Sequence, residues 1–573
     1  MGSKINVEEL VSKLKDIIKN IEARIKKREN LNYDDVLNVM REIEAILKIK
    51  CHNSGYYDLV NLNRELMSFI SYIKSMTKDT SDWEHHRKML KRLKQIVLKY
   101  TDLGSNNEIK EWKRRVRKEI THRNGKPMLT RAMIRSMKSH TNPLEQLIII
   151  VTNCFPNLLS DFAKLSDKKN ENYIDYQMQE IALIRLLALC CGIQSMAEIM
   201  AKLDREEFIK NINLILGTDL KKFPCDDTIS NVINTIKIEE LEAIQTRIIK
   251  RLIESKTLDK YRLFNKSFYI VIDGSGLYST RLNLGDDSLH KIHNKETDNE
   301  YIEYHRYVLE AKLVCGDYVF SFATEFVENA NMNTEKEKQD CELTAAHRLL
   351  KKIRKTFPKL LITIGADALY VNKPFMDACI AHKMDYILRY KDTVMTTINE
   401  EFINIEKNIN GNYEYVNDLG FGSGTKASEG KVNIIKYTEE KEEINKNEKT
   451  VETAIITTGS EFMFVTSLTI NNNNYKEIVL FGRRRWKIEN QGFKEQKSRV
   501  LNMEHIYTFD NNGTKVNYYF IQFAHTLLTL LYYGSTIIKK LKETKIEISN
   551  LLYQALLKEQ QLNLENTIQI RFD

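Results

Sequence analysis

Residues 268–276, FYIVIDGSG, restrict the fold of this chain more than any other stretch of its sequence. Five apolar residues that lead into Asp-Gly are typical of a strand buried in the centre of a sheet, with Asp273 at its carboxyl end. A carboxylate in that position is costly unless it is paired or binds a cation. Asp-Gly is also a common turn dipeptide, so a plain turn at the strand end is the alternative role for Asp273.

Downstream of this strand, strand-like and helix-like patterns alternate, which predicts an α/β sheet domain. Gly316 and Asp317 predict a two-residue turn between two antiparallel strands. The predicted strands cover 307–315, 318–326, 360–364 and 386–390, and the predicted helices cover 336–356 and 374–382.

A second aspartate, Asp367, follows the predicted strand at 360–364 in the segment IGADALY. Open α/β sheets place their sites at the carboxyl ends of strands, so Asp273 and Asp367 are candidates for one site. Carboxylate oxygens suit Mg²⁺ or Mn²⁺, and two such ions can activate water and stabilise the leaving oxygen of a phosphodiester. The alternative for Asp367 is to cap the turn that follows it.

The third candidate carboxylate, Glu489, lies in the basic stretch FGRRRWKIENQGFKEQKSR at 481–499. On an α-helix, residues spaced by four positions form one stripe. The residues at this spacing are Arg485, Glu489, Phe493 and Lys497. A solvated helix in which Arg485 simply pairs with Glu489 is the alternative. Together with the two strand-end aspartates, the pattern favours Glu489 as a metal ligand, with Arg485 and Lys497 as phosphate contacts rather than salt-bridge partners.

Residues 392–480 are predicted to form a β-rich insertion ahead of the Glu489 helix. Strand-like patterns occur at 413–416, 432–437, 451–457 and 462–470, separated by turns rich in glycine, asparagine and charge. We expect the charged run EEKEEINKNEK at 439–449 to be an exposed loop.

The remaining segments are predicted to be helical. Asp226 or Asp227 is expected to cap a helix that begins near Thr228, and a long apolar helix is expected at 518–540. The predicted domains are a basic all-α module at 1–140, a helical domain at 141–262, a sheet core at 263–391 and 481–541, the β-rich insertion at 392–480, and a C-terminal helix at 542–573.

Positive charge is concentrated near the amino terminus. Residues 81–140 contain 17 Lys and Arg against 6 Asp and Glu, while the whole chain has a net charge of +9. Such a block is the electrostatic signature of a protein that binds a polyanion. A set of solvated helices with lysine-rich outer faces is the alternative.

Cysteine usage and hydropathy exclude several classes. The 8 cysteines show no CxxC pair and no zinc-ligand spacing with histidine, so a zinc finger or a disulfide framework is not expected. There is no apolar leader and no run of 18 apolar residues. We therefore expect a cytoplasmic protein without a membrane span.

Six segments resemble, in order, DDE transposases of the insertion-sequence type, and the resemblance covers residues 144–531. The segments are CDDTISNVINTI, YIVIDGSGLYS, TEFVEN, KQDCELTAAHRLLKKIRKTFP, GADALYVNKPF and RRRWKIENQGFKEQK. The resemblance implies an RNase H-like catalytic core with a β-rich insertion before the last acid, preceded by all-α domains and followed by C-terminal helices. It identifies Asp273, Asp367 and Glu489 as the catalytic, metal-binding acids.

The resemblance also implies residues that contact DNA. Arg485 matches the family's arginine four positions before the glutamate, whereas Lys497 stands one position later than the family's lysine and Gly482 replaces its tyrosine. Trp486 can stack on a displaced base, with packing in the core as the alternative. The other expected DNA contacts are Arg484 and Lys494 in the same basic stretch, and Lys113, Arg114, Arg115 and Arg117 in the basic amino-terminal block, which the resemblance does not cover. Structural roles are expected for Glu325, Glu328, Asp340 and Glu342.

The function that the resemblance implies is DNA transposition. Two Mg²⁺ ions, or Mn²⁺ in their place, would direct water at the ends of the element and then direct the freed 3′-hydroxyl at target DNA. The expected partners are double-stranded DNA and a second copy of the chain, in the bacterial nucleoid. A domesticated DNA-binding protein without catalysis and a DDE nuclease without strand transfer are the alternatives.

Overall fold

The computed structural model describes residues 142–167, 175–329, 340–422, 430–445, 454–497 and 500–560, and two short strands nearer the amino terminus. The chain divides into two compact units, Met1–Met137 and Lys138–Asp573. In the first unit, β1 (His122–Arg123) and β2 (Lys126–Pro127) pair antiparallel. The expected DNA contacts Lys113, Arg114, Arg115 and Arg117 lie outside the described residues.

The second unit begins with a layer of helices. Asn142 caps the first helix, because its side chain accepts hydrogen bonds from the backbone N–H groups of Leu144 and Glu145. The helices are α1 (Pro143–Cys154), α2 (Leu158–Ala163), α3 (Met178–Cys190), α4 (Met196–Leu203), α5 (Glu206–Leu216), α6 (Asp226–Ile233) and α7 (Ile238–Glu254). The predicted cap of α6 is wrong: Cys225 holds the cap position, and Asp226 and Asp227 lie in the first turn, where the helix dipole favours carboxylates.

Within the described residues, ten strands form one mixed sheet flanked by helices. β3 pairs parallel with β7, β7 pairs parallel with β8, and the other pairs are antiparallel. The order is β4-β5-β3-β7-β8-β12-β11-β10-β9, and β6 pairs with β5. The strands are β3 (Phe268–Thr280), β4 (Leu289–His293), β5 (Tyr301–Cys315), β6 (Tyr318–Val327), β7 (Ile362–Ala366), β8 (Asp385–Tyr390), β9 (Asn408–Asn410), β10 (Tyr413–Phe421), β11 (Gly430–Asn445) and β12 (Ala454–Thr466).

Asp273 lies inside β3 and not at its end, which corrects the prediction. The strand continues to Thr280 because β5 pairs with it antiparallel over its whole second half. The parallel pairing with β7, in contrast, ends at Val271 and Gly365. Asp273 therefore follows the end of the parallel ladder while its own strand goes on.

The strands predicted as an insertion extend the same sheet, because β12 pairs with β8. Two predictions for this region are wrong. The run at 439–449 was predicted to be a loop, but its residues up to Asn445 belong to β11. The two strands predicted at 451–457 and 462–470 are one strand, β12. A continuous antiparallel ladder from Asn433 to Asn445 overrides the charged composition. Of 440–445 and 454–459, the backbone alone is described.

Further helices, from the chain segments between and after these strands, flank the sheet. They are α8 (Glu342–Thr356), α9 (Lys373–Ala381), α10 (Thr396–Asn404), α11 (Tyr475–Arg484), α12 (Glu495–Lys497), α13 (Asn511–Thr529), α14 (Thr536–Leu541) and α15 (Lys545–Leu556), with π-helical segments at Ile488–Lys494 and Leu530–Gly534. The long apolar helix predicted at 518–540 is present, but its bounds differ: α13 begins at Asn511, capped by Asp510, and is followed by a π-helical segment after Thr529.

The core of the second unit lies where α13 packs against α3, α7 and β6. Both α13 and α3 are buried on nearly every side, as their apolar composition requires. Among the described residues, no helix has the length and hydropathy needed to cross a membrane.

Candidate active site

Asp273 and Asp367 lie level with each other on adjacent parallel strands. Val271 and Gly365 form the last pair of the β3–β7 ladder, and each aspartate comes two residues after that pair. Because neighbouring strands lie about 4.8 Å apart, the two backbones are adjacent at this edge. Asp367 also caps the turn that follows, since its Oδ1 accepts a hydrogen bond from the backbone N–H of Leu369 at 2.9 Å. The register thus brings together two of the predicted acids.

Glu489 lies in the first turn of the π-helical segment Ile488–Lys494, which packs against β3, β5 and β6. Its Oε1 is 2.7 Å from Nη1 of Arg485. Arg485 is only 7% exposed, and its Nε has no hydrogen-bond partner among the described residues. The ion pair that the sequence analysis gave as the alternative is therefore present, and the expectation that Arg485 is not a salt-bridge partner is wrong.

The four residues of the predicted stripe differ in their surroundings, and the segment from Ile488 to Lys494 is a π-helix rather than an α-helix. Phe493 is buried, with the Lys312 ammonium 5.5 Å from its ring. Lys497 pairs with Glu504, at 2.9 Å between Nζ and Oε1. Lys497 therefore has a carboxylate partner here, and its contact with a DNA phosphate stays a prediction.

A fourth carboxylate, Glu342, reaches the same edge from the first turn of α8. Its Oε2 accepts a hydrogen bond from the Tyr307 hydroxyl at 2.8 Å, and its Oε1 accepts one from the Tyr370 hydroxyl at 2.5 Å. A Cβ on Gly274 would lie 2.4 Å from Oε2, so this carboxylate stands against the residue that follows Asp273. The sequence signal was present in the segment CELTAAH, but its helix-opening position favoured a structural role.

Several charged groups at this edge shift the pKa of Asp273. Burial raises the pKa of Asp273 to about 7, the Arg485 guanidinium opposes this rise, and the carboxylates of Asp367, Glu342 and Glu489 add to it. The edge therefore holds more negative charge than its single arginine compensates.

Comparison with protein families identifies the chain. A family model described as "Transposase DDE domain" matches residues 319–527, and a model described as "DDE_Tnp_1-associated" matches residues 159–248. The chain belongs to the DDE transposase family. The first match contains Glu342, Asp367 and Glu489, whereas Asp273 precedes it and joins the other acids through the register of β3.

Two further comparisons were made for this transposase. Among solved structures, one that matches is a cryo-EM structure of a piggyBac transposase synaptic complex with hairpin DNA. Its TM-score is 0.34 at 11% sequence identity, and the alignment covers 74% of this chain and 81% of that chain. A comparison with curated proteins gave no match.

The donor set of the transposase fits a hard divalent cation, because Asp273, Asp367 and Glu489 offer carboxylate oxygens beside uncompensated negative charge. In the described residues, however, no three of the His, Cys, Asp and Glu side chains are close enough together to hold a metal ion. In this arrangement the carboxylate of Glu489 is paired with Arg485.

The remaining cations predicted to bind DNA surround the Glu489 segment. Arg484 is half-buried with its guanidinium 4.4 Å from the Phe481 ring, while Lys494 is exposed. Trp486 is 54% exposed, which excludes the alternative that it packs in the core. Arg485 lies 5.9 Å from the indole ring. An exposed aromatic ring thus stands next to the buried arginine of the site.

Three of the four acids expected to be structural have structural partners. Glu325 and Asp340 both pair with Arg348 at 2.7 Å, and Glu328 pairs with Lys515 at 2.6 Å. Glu342 differs from the other three acids, because its hydrogen-bond partners are two tyrosines and its carboxylate lies at the acidic edge.

A buried ionic network that the sequence did not reveal lies on β5, directly across from β3. Glu310 pairs with Asp273 in the antiparallel register, and its carboxylate accepts hydrogen bonds from Thr324 at 2.8 Å and Tyr518 at 2.9 Å. The Lys312 ammonium lies 3.8 Å from Glu310 and donates to Gln522 at 2.9 Å. Burial lowers the pKa of Lys312 to about 8, and the negative charge of Glu310 opposes this. Both side chains are completely buried.

Proposed function

We propose that this DDE transposase cuts DNA at the ends of a mobile element and joins the freed 3′-hydroxyl to target DNA. The observation that carries the proposal is the strand register that places Asp273 and Asp367 level with each other, with Glu342 against Gly274 and the Glu489 segment packed on β3. Membership of the DDE family supports the transposase function. The order β6-β5-β3-β7-β8, antiparallel and then parallel, supports an RNase H-like core.

In this proposal Asp273, Asp367 and Glu489 hold two Mg²⁺ ions, with Mn²⁺ as a substitute. When bound, the ions supply Lewis-acid activation of a nucleophile and stabilisation of the leaving oxygen. Asp273 must give up its proton to serve as a ligand, which its pKa of about 7 allows near neutral pH. Glu489 must turn away from Arg485. Arg485 is then free to bind a DNA phosphate, and its unpartnered Nε adds a second donor.

The DNA surface of the proposal surrounds this edge. Trp486 would stack on an unpaired base at the cut end, because its ring is exposed beside the site. Arg484, Lys494 and Lys497 would contact phosphates near the catalytic edge, and Lys113, Arg114, Arg115 and Arg117 would contact other phosphates of the DNA. A homodimer on DNA would pair the two ends of the element.

The test uses the full chain, a labelled duplex with the terminal sequence of the element, a supercoiled target plasmid and Mg²⁺. We expect end cleavage followed by joined products. Asp273→Ala, Asp367→Ala and Glu489→Ala should each abolish cleavage while the affinity for the duplex stays within about threefold. Asp377→Ala is the matched control, because that exposed carboxylate on α9 pairs with Lys373 and not with the acidic edge.

Each outcome distinguishes one function. Cleavage without joined products would identify a nuclease, and binding without cleavage would identify a DNA-binding derivative of a transposase. Full activity in any one of the three variants would refute the assignment of that acid.

The role of the basic amino-terminal block is tested in the full chain by changing Lys113, Arg114, Arg115 and Arg117 together to Gln. We expect weaker binding and a flatter dependence of affinity on salt, because fewer counterions are released. A slope unchanged from that of the wild type would show that these four residues do not contact phosphate.

A further inference from the structure

The carboxylate of Glu342 is held on both sides by neutral donors. Tyr307 on β5 donates to Oε2, and Tyr370, in the turn after Asp367, donates to Oε1. Tyr370 is completely buried and Tyr307 is half-buried. Burial and the negative charge of Glu342 raise the pKa of Tyr307, so its hydroxyl keeps the proton that it donates. Two hydroxyl groups therefore fix the position of this anion without neutralising it.

A gap in the sheet surface makes room for this carboxylate. A Cβ on Gly274 would lie 2.4 Å from Oε2 of Glu342 and 2.5 Å from the Tyr307 hydroxyl. Gly274 does not have a left-handed backbone conformation, so the position needs glycine for space and not for its φ angle. The absence of a side chain lets Glu342 reach the backbone beside Asp273.

Two cations of α8, Arg348 and Lys352, pair with other acids. Arg348 pairs with Glu325 and Asp340, and Lys352 pairs with Glu325 and Glu242. In the described part of the chain, no lysine or arginine forms an ion pair with Glu342. Its negative charge is thus directed at the acidic edge without compensation.

We propose that Glu342 is a fixed fourth carboxylate whose charge strengthens the binding of divalent cations by Asp273, Asp367 and Glu489. It is a positioning residue: each of its two oxygens already accepts a hydrogen bond from a tyrosine hydroxyl, so it acts through its negative charge and these hydrogen bonds. This inference rests on the proposed function of the three acids as metal ligands. It extends the site to a residue outside the acidic triad.

The test measures Mn²⁺ binding to the full chain by electron paramagnetic resonance at pH 8, without DNA. We expect Glu342→Gln to weaken Mn²⁺ binding roughly 10- to 100-fold, the range found when groups behind metal ligands are changed. The Mg²⁺ concentration for half-maximal DNA cleavage should rise by a similar factor, while the rate at saturating Mg²⁺ stays close to that of the wild type. Tyr370→Phe keeps the charge but removes one donor, and we expect a smaller loss of affinity.

Asp340→Asn is the matched control. It removes a carboxylate two positions from Glu342, at the same end of α8, whose partner is Arg348. We expect unchanged Mn²⁺ affinity for this variant. If Asp340→Asn and Glu342→Gln weaken binding equally, or if Glu342→Gln leaves it unchanged, the inference is wrong.

The experiment separates this inference from the proposed function. If the wild type binds Mn²⁺ but cleaves no DNA, the proposed function fails while the comparison of affinities still decides the role of Glu342. Should Glu342→Gln not fold, as judged by thermal unfolding, the double variant Tyr307→Phe/Tyr370→Phe takes its place. It releases the carboxylate, so weaker Mn²⁺ binding supports the inference and unchanged binding overturns it.

Discussion

The Arg485 guanidinium forms a 2.7 Å ion pair with Glu489, one helical turn further along the chain. The arginine is almost completely buried, while the glutamate side chain is 41% exposed. A buried cation that pairs with an exposed carboxylate loses little if that carboxylate turns away to a metal ion, provided that another anion takes its place. A DNA phosphate would be such an anion.

Replacing Arg485 by Gln should move the pH dependence of cleavage. The guanidinium opposes the rise in the pKa of Asp273, so its loss raises that pKa above about 7. The acidic limb of the pH–rate profile should shift to higher pH by roughly one unit or more, as expected when a carboxylate loses an adjacent arginine. Arg483→Gln is the control, since Arg483 pairs with Glu439. Identical acidic limbs in Arg485→Gln and the wild type would contradict the prediction.

Replacing Asp273 by Asn should stabilise the metal-free protein while abolishing cleavage. The pKa of Asp273 rises from 3.8 to about 7 on folding, so the folded chain binds the proton more tightly than the unfolded chain. Stability is therefore lost as pH rises between these values, by at most about 4 kcal/mol once the pH is above 7. We expect Asp273→Asn to raise the midpoint of thermal unfolding clearly at pH 8 and less at pH 5. An equal gain at both pH values would show that burial of this charge is not the cause.

Adding a methyl group at Gly274 should damage the site, because the new Cβ would collide with Glu342 and Tyr307. We expect Gly274→Ala to reduce stability by about 1–3 kcal/mol and to weaken metal-dependent cleavage. The matched control is Gly276→Ala on the same strand, where nothing lies within 4 Å of the added Cβ. Urea unfolding and cleavage assays on both variants measure the difference. Equal behaviour of the two variants would mean that Glu342 does not occupy this space.

Removing the indole ring of Trp486 should affect DNA and not folding. Because the ring is 54% exposed, Trp486→Ala should change stability by no more than about 0.5 kcal/mol. If the ring stacks on a base, affinity for an element end with unpaired terminal bases should fall by about 1–3 kcal/mol. Leu361→Ala removes another exposed apolar side chain, at the start of β7, and should leave DNA affinity unchanged. A stacking role is excluded if fluorescence anisotropy gives the same affinity for Trp486→Ala as for the wild type.

Changing one member of the buried pair Glu310 and Lys312 should cost more stability than changing both. Lys312→Met leaves Glu310 buried without its cation, which should cost about 3–5 kcal/mol. Adding Glu310→Gln removes the stranded charge and should recover most of that loss, as measured by urea unfolding. If the double variant is no more stable than Lys312→Met, the two side chains are not energetically coupled.

Local sequence patterns predicted the structure correctly where the residue types and the hydrophobic period indicate the same element. An apolar run before Asp273 indicated a buried strand, and Gly316-Asp317 indicated the turn that joins β5 to β6. Patterns failed where long-range pairing decided the outcome. The charged residues up to Asn445 form a strand because β12 provides a partner, and no local signal reveals that partner.

The candidate site likewise has features that local patterns predicted and features that depend on long-range packing. The sequence indicated Asp273, Asp367 and Glu489 as three candidate acids, because an apolar run before each of the two aspartates indicates a buried strand that leads to it. Helical periodicity did not reveal the π-helical segment or the burial of Phe493, because both depend on packing against the sheet.

The sequence by itself determined which residue types are available at this edge, through the strand before Asp273, the segment around Asp367 and the basic stretch around Glu489. Only the tertiary structure decided how they meet. The register of β3 and β7 places the two aspartates level, and the space at Gly274 admits Glu342 from a helix that opens more than sixty residues later. The physical reason is that strand pairing and van der Waals exclusion act between residues far apart in the chain, where spacing along the sequence carries no information.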